Sequence, residues 1–168
     1  MATGSLVSVE EYLSTTYKPS CDYIDGVLRP KSMGTRKHGK LQIRLGRLIE
    51  ERFPAFEPAS ELTCQIRTGK YLVPDLAVQR VDRIQDPYPI EPIHLCVEIL
   101  SPGDGLGETL AKCDDYIRWG VETTWVIDPE AMVGWEYRKG NRLTEVSATG
   151  SLTAEDISIP LADLFADL

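Results

Sequence analysis

Residues 93–128, IHLCVEILSPGDGLGETLAKCDDYIRWGVETTWVID, decide the architecture. The run 93–100 is almost continuously apolar, which suits a strand covered on both faces. A loop containing Pro102, Gly103, Gly105 and Gly107 follows. Residues 108–119 then place Leu110, Cys113 and Ile117 at three- and four-residue intervals, the buried stripe of a helix that Gly120 stops. Residues 123–128 form a second buried-type strand. Strand, helix and strand in this order make one crossover, whose two strands are expected side by side and parallel.

Outward from this unit the pattern changes to hairpins. Downstream, 133–138 and 142–146 flank Gly140-Asn141, and a short helix is expected near 161–165. Upstream, 62–67 and 71–80 are strands joined by Thr68-Gly69-Lys70, preceded by a loop rich in Pro, Ala and Ser. Between 35 and 53, Leu41, Leu45, Leu48, Ile49 and Phe53 recur with helical period, and Pro54 closes the helix. Asp25-Gly26 within 21–29 is a strong hairpin signal, and Ser8 before Glu10 and Glu11 caps a short helix over 7–13. These elements predict an α/β fold with a central mixed sheet and helices on both faces, in one domain over 1–168.

The chain has 168 residues, 42% hydrophobic and 26% charged, enough to bury roughly 70% of its unfolded surface. No window approaches the roughly 18 uncharged apolar residues of a membrane helix. The N-terminus lacks a basic patch leading into an apolar run, so the expected address is the cytoplasm. Cys21, Cys64, Cys96 and Cys113 are far apart with no CxxC pair, which disfavours structural zinc and fits reduced core cysteines. Net charge is −8, which argues against non-specific coating of nucleic acid. Residues 29–52 nevertheless hold eight basic residues against Glu50 and Glu51. Four of them, Lys37, Lys40, Arg44 and Arg47, follow helical spacing beside the apolar stripe. They read either as a phosphate-binding stripe or as a solvated helix face.

Glu98 is the oddity of the strand 93–100. An ionised carboxylate in a covered strand is costly unless it is paired or bound to metal. Asp75 lies in a second apolar setting after Pro74, which cannot donate to a sheet ladder and marks an edge or bulge. Together the two acids could hold one hard cation, Mg²⁺ or Mn²⁺, and a lysine near the nucleophilic water would complete a hydrolytic set. His38 sits at the edge of its helix's buried face, either as a boundary histidine or as a proton relay. Gln65 and Glu61 are weaker candidates, Ser101 has no readable nucleophile geometry, and His94 reads as structural.

The order Pro74-Asp75, then Glu98-Ile99-Leu100-Ser101-Pro102, Lys112 with Tyr116, Gly120-Val121 and Trp125-Val126-Ile127-Asp128-Pro129 resembles the Uma-type family of restriction endonucleases in the PD-(D/E)XK superfamily. Tyr23 to Val27, His38 and Ile159 to Phe165 resemble that family's entry hairpin, the histidine opening its basic helix and its closing segment. The resemblance implies a restriction-endonuclease-like core and a metal-dependent phosphodiesterase, with Asp75 and Glu98 as ligands. One departure stands out. Leu100 occupies the position, two after the glutamate, where the superfamily pattern has lysine. In the Uma-type pattern a lysine on the following helix serves instead, which carries over to Lys112, although Lys112 lies off the stripe of Leu110, Cys113 and Ile117.

The leading expectation is thus a DNA endonuclease, with Asp75, Glu98, Lys112 and His38 in the site and the basic helix on phosphate. A homodimer is expected, since cutting both strands of a duplex is simplest with two sites related by a two-fold axis. The alternatives are a degenerate, non-enzymatic module of the same fold, favoured by Leu100, and a hydrolase of RNA or nucleotides.

Overall fold

Local side chains supply the backbone partners that the N-terminal elements lack. Ser8 caps α1 (Val9–Ser14) by accepting from the Glu11 amide at 3.1 Å. The computed structural model describes residues 6–168. Residues 1–5, which open the stretch read above as lacking a leader, lie outside the described residues. β1 (Cys21–Ile24) and β2 (Val27–Pro30) form the expected hairpin. Its turn holds Asp25 at φ 48° and Gly26 at φ 91°, the left-handed pair that matches the twist of two tightly joined strands.

Thr35 opens α2 (Arg36–Arg52) by accepting from the His38 amide, and Leu41, Leu45, Leu48 and Ile49 face inward as their spacing predicts. The next element corrects the sequence reading. The Pro-rich stretch expected as loop is β3 (Phe56–Ser60), paired only with β6 (Leu76–Arg80). Pro58 is tolerated there because an edge strand needs no donor on its open side. A second correction divides the single strand expected over 71–80. β4 (Cys64–Arg67) pairs with β5 (Lys70–Leu72) in one sheet, whereas β6 belongs to another, with Val73-Pro74-Asp75 between them.

β7 (Leu95–Ile99) is buried throughout and pairs in parallel with β8 (Thr123–Asp128) through α3 (Leu106–Trp119), as the crossover predicts. Gly120 ends α3 at φ 127°, and a Cβ there would meet Pro92 Cγ at 2.7 Å, so only glycine fits. β9 (Val133–Arg138) and β10 (Arg142–Val146) form the expected hairpin. A further hairpin, β11 (Ser151–Ala154) and β12 (Ile157–Pro160), was not expected, and α4 (Leu161–Phe165) follows it.

The large sheet is mixed, in the order β10-β9-β8-β7-β6-β3, and the small one is β2-β1-β5-β4. Alternation along β7 sorts the core into two faces. Leu95, Val97 and Ile99 pack with Leu41, Leu45 and Ile49 of α2, with Leu152, Ile157 and Ile159 of the last hairpin and with Leu164 of α4. Cys96 faces the other way, against Tyr116 of α3 and Cys64 and Leu72 of the small sheet. Helices therefore cover both faces, as expected. The α3 stripe is shifted: Cys113 and Tyr116 are its buried residues, with Leu110 and Ile117 at its margin. All four cysteines are buried and free. Among the described residues, no helix is long and apolar enough to cross a membrane.

Candidate active site

Two strands and the break between the sheets bring the two predicted carboxylates together. Leu76 of β6 pairs with Val97 of β7, so Asp75 and Glu98 are the next residues outward on their strands. Pro74 ends the run of β5 and frees Asp75 to turn its carboxylate toward β7. There Asp75 Oδ2 accepts from the Ile99 amide at 2.6 Å and lies 3.4 Å from His38 Nε2. Gln42 of α2 donates to the Asp75 carbonyl at 2.6 Å, which ties the break to the helix.

Glu98 faces α3, the side that Cys96 also faces. Its Oε1 accepts from the Tyr116 hydroxyl at 2.8 Å and lies 3.1 Å from Lys112 Nζ. Lys112 and Tyr116 are one helical turn apart and so meet the same carboxylate. Although off the stripe of Leu110, Cys113 and Ile117, Lys112 turns inward. Its ammonium also reaches Asp22 Oδ2 at 3.1 Å and donates to the Val73 carbonyl at 3.0 Å. Glu98 Oε2 has no hydrogen-bond donor among the described residues.

Asp22, His38, Asp75, Glu98 and Lys112 line one cleft of about 210 Å³ with Lys31, Ser32, Ser101, Asp104 and Glu108. Among the cleft residues that the sequence reading missed, Asp22 and Lys31 pair directly with these groups. Asp22 accepts from the Val73 amide at 2.7 Å, and Lys31 Nζ lies 2.6 Å from Asp75 Oδ1. The available signals were weak. Asp22 is the polar alternate of a hairpin strand, normally a solvent position, and Lys31 stood only as one charge in the basic segment.

The electrostatics oppose burial with pairing. Burial pushes the Asp75 carboxyl up, but the His38 hydrogen bond and the Lys31 ammonium outweigh it and hold it well below the usual carboxylate range. Burial also pushes Glu98 up, and there the Lys112 charge only partly compensates. For Lys112 the order is reversed. Burial disfavours its charge, yet Glu98, Asp22 and Asp75 together raise its pKa above the ordinary lysine value.

Other candidates lie elsewhere. His94 Nε2 is 3.2 Å from the Ala154 carbonyl, Glu61 accepts from Ser20, and neither they nor Gln65 lines the cleft. Ser101 lines it, with its amide donating to Asp104 at 2.7 Å. The basic residues of α2 have partners of their own: Lys37 with Glu130, Lys40 with the Asp167 carbonyl, Arg44 with the Leu164 and Ala166 carbonyls, and Arg47 with Glu51.

Residues 9–164 match the family model Uma2, described as "Putative restriction endonuclease". The chain belongs to the Uma2 family. That places it among the nucleases, as the order of its motifs implied. Among curated proteins, none matches the sequence. Among solved structures, this Uma2 chain is similar to the crystal structure of a putative nuclease belonging to DUF820 from Anabaena variabilis ATCC 29413, with a TM-score of 0.80 and 21% identity. The match covers 95% of this chain and 98% of that one, and it shows a shared fold. A cryo-EM DrdV–DNA complex matches with a TM-score of 0.46 and 14% identity, over 67% of this chain and 10% of that one.

The Uma2 cleft can be tested for the divalent metal that such folds use. Among the described residues no group of three His, Cys, Asp or Glu side chains is arranged around one point. Mg²⁺ does not require one, because it is commonly held by one or two carboxylates, with waters and substrate phosphate filling the remaining positions. The two carboxylates offer oxygen donors, Glu98 Oε2 is open, and a cation already rests on Asp75. The residues fit such an ion.

Proposed function

We propose that this cleft is the active site of a metal-dependent endonuclease that hydrolyses phosphodiester bonds in DNA. The observation that carries the reading is the convergence of two buried carboxylates, Asp75 and Glu98, with the Lys112 ammonium bonded to the second. Asp75 and Glu98 would hold Mg²⁺ or Mn²⁺. When bound, such an ion supplies Lewis acidity toward a phosphoryl oxygen and a nucleophilic water at neutral pH.

The chain's own groups do the rest. Lys112, kept cationic by three acids, serves as a fixed positive charge for the negative charge that develops on phosphorus oxygens, and it is unsuited to act as a base. Tyr116 and Lys112 fix Glu98 Oε1, and Oε2, without a protein donor among the described residues, would be available to hold the ion. The Ile99 amide fixes Asp75 Oδ2, and His38 beside it relays a proton toward the leaving oxygen. Leu100 packs with Cys113, Val126 and Tyr137 in an apolar cluster, so the ammonium at Glu98 comes from α3 instead. A retained ammonium in this place counts against the degenerate, non-enzymatic reading.

The reading includes phosphate contacts by Lys37 and Arg47. Their ion pairs are partly or largely exposed and therefore weak enough to exchange. It is tested by incubating supercoiled and linear DNA with Mg²⁺ or Mn²⁺ beside a chelator control. Metal-dependent cleavage, with duplex affinity that falls steeply as salt rises, is the expected result. Cleavage of RNA or nucleotides alone would transfer the site to another phosphate substrate, and no cleavage of any would return the degenerate module. The same reading takes the active form to be a homodimer. Sedimentation should give twice the 18.8 kDa chain mass, and the monomer alone at working concentration would remove that part.

A further inference from the structure

We infer that Lys31 is a resident counter-cation of Asp75 and determines how tightly a divalent cation binds in the cleft. The inference rests on the metal-dependent reading above.

Each oxygen of Asp75 has an assigned partner. Oδ2 takes the Ile99 amide at 2.6 Å and faces His38 Nε2 at 3.4 Å. Oδ1 takes Lys31 Nζ at 2.6 Å. Oδ2 is fixed by a backbone donor that cannot leave without breaking into β7, whereas Oδ1 is held by a side-chain ammonium alone. Lys31 therefore occupies the Asp75 oxygen that a side-chain movement alone can open to a metal.

The two cleft lysines differ in this respect. Lys112 sits on Glu98 Oε1, between Asp22, the Val73 carbonyl and the Tyr116 hydroxyl, and leaves Oε2 untouched. Lys31 has no second acidic partner within ion-pair distance among the described residues, and its side chain is 13% exposed. Its backbone is pinned, with its amide donating to the Ser20 carbonyl at 2.9 Å and the next residue, Ser32, bonded through its hydroxyl to Asp104. The pinned backbone keeps the ammonium close to Asp75, while the flexible four-carbon stem lets it swing away. A dication arriving at Oδ1 meets a like charge at contact range and must displace it. Without that ion, the lysine neutralises a carboxylate that is only 3% exposed.

The test measures binding rather than turnover. Mn²⁺ is titrated by calorimetry into the full chain, Lys31→Met, Lys31→Gln and Asp75→Asn. The thermal midpoint of each is recorded with and without the ion. Removing the competing charge is expected to raise Mn²⁺ affinity by about tenfold or more. The metal-free midpoint should fall, and the gain on adding Mn²⁺ should exceed that of the unaltered chain. Lys31→Gln removes the charge but keeps a hydrogen-bond donor, so it carries the result if the methionine variant does not fold.

Unchanged or weaker affinity in both Lys31 variants, while Asp75→Asn weakens binding, would overturn this inference and leave the metal site standing. A lower metal-free midpoint with unchanged affinity overturns it too, since it makes Lys31 a structural partner only. Absence of Mn²⁺ binding in the unaltered chain and in all variants would remove the inference and the metal-dependent reading together.

Discussion

Glu98→Gln and Asp75→Asn should each reduce metal-dependent DNA cleavage by on the order of 10³-fold or more, beyond the 10–100-fold that follows loss of an outer-shell partner. The expectation follows from the division of work between the oxygens. Gln at 98 can still accept from Tyr116 through its amide oxygen, so the fold around α3 keeps a partner there. It loses the anionic oxygen that faces the cleft. Asn at 75 can likewise accept from the Ile99 amide, but it presents no negative charge to a cation. Cleavage of supercoiled DNA over a range of Mg²⁺ and Mn²⁺ concentrations checks this, with circular dichroism establishing that each variant is folded. Activity within tenfold of the unaltered chain in either variant would show that the cleft is not the hydrolytic centre.

Lys112→Met carries the largest expected effect on stability. It removes the cation shared by Glu98 and Asp22, and breaking a buried pair by deleting one partner costs about 3–5 kcal/mol. For a chain of this size that corresponds to a fall in Tm of roughly 10 °C, at about 2–4 °C per kcal/mol. The pH dependence separates an electrostatic cause from lost packing. Lys112 has a raised pKa in the fold, so its contribution is complete below the ordinary lysine value of about 10.4 and is lost as pH rises above it. The methionine variant should lack that alkaline loss. Glu98 has the opposite acid-side behaviour. Its raised pKa means that the folded chain binds the proton more tightly, so ionising Glu98 destabilises the fold as pH rises past about 4.3. Without Lys112 this penalty grows, and the variant should lose stability between weakly acidic and neutral pH relative to the unaltered chain. Parallel thermal curves for the two proteins between pH 4 and 8 would refute the pairing.

The legible parts of the molecule were those where one periodicity dominated. The crossover from β7 through α3 to β8 could be read because continuous apolar runs and a glycine stop leave few alternatives. Asp75 and Glu98 could be read because a charge amid apolar neighbours violates the solvation rule and demands a partner. The missed pieces have distinct causes. β3 was hidden by Pro58, which reads as loop unless the strand lies on an edge. The β11–β12 hairpin packs Leu152, Ile157 and Ile159 into the core from a stretch otherwise rich in Thr, Ser and acids. Asp22 was invisible because local alternation gives no hint that α3 will cover the outer face of a hairpin strand. The basic stripe of α2 was real as a sequence pattern. Lys40 and Arg44 nevertheless meet carbonyls more than one hundred residues downstream, a long-range satisfaction that no local window reveals.

The break at Val73-Pro74-Asp75 also bears on how the proposed site assembles. Asp22 arrives on the small sheet, Glu98 on the large one and Lys112 on the helix between them, while the three-residue break is covalently part of both sheets. Val73 binds Asp22 through its amide and Lys112 through its carbonyl, and two residues later Asp75 reaches the Ile99 amide. The charge constellation is thus a seam, complete only when the two sheets are docked in register. Separating them by local opening would scatter the acids and the lysine while most of each sheet's own ladder survived. Under the proposed reading, catalytic competence would be tied to a docking step between the sheets, with neither sheet carrying the whole constellation alone.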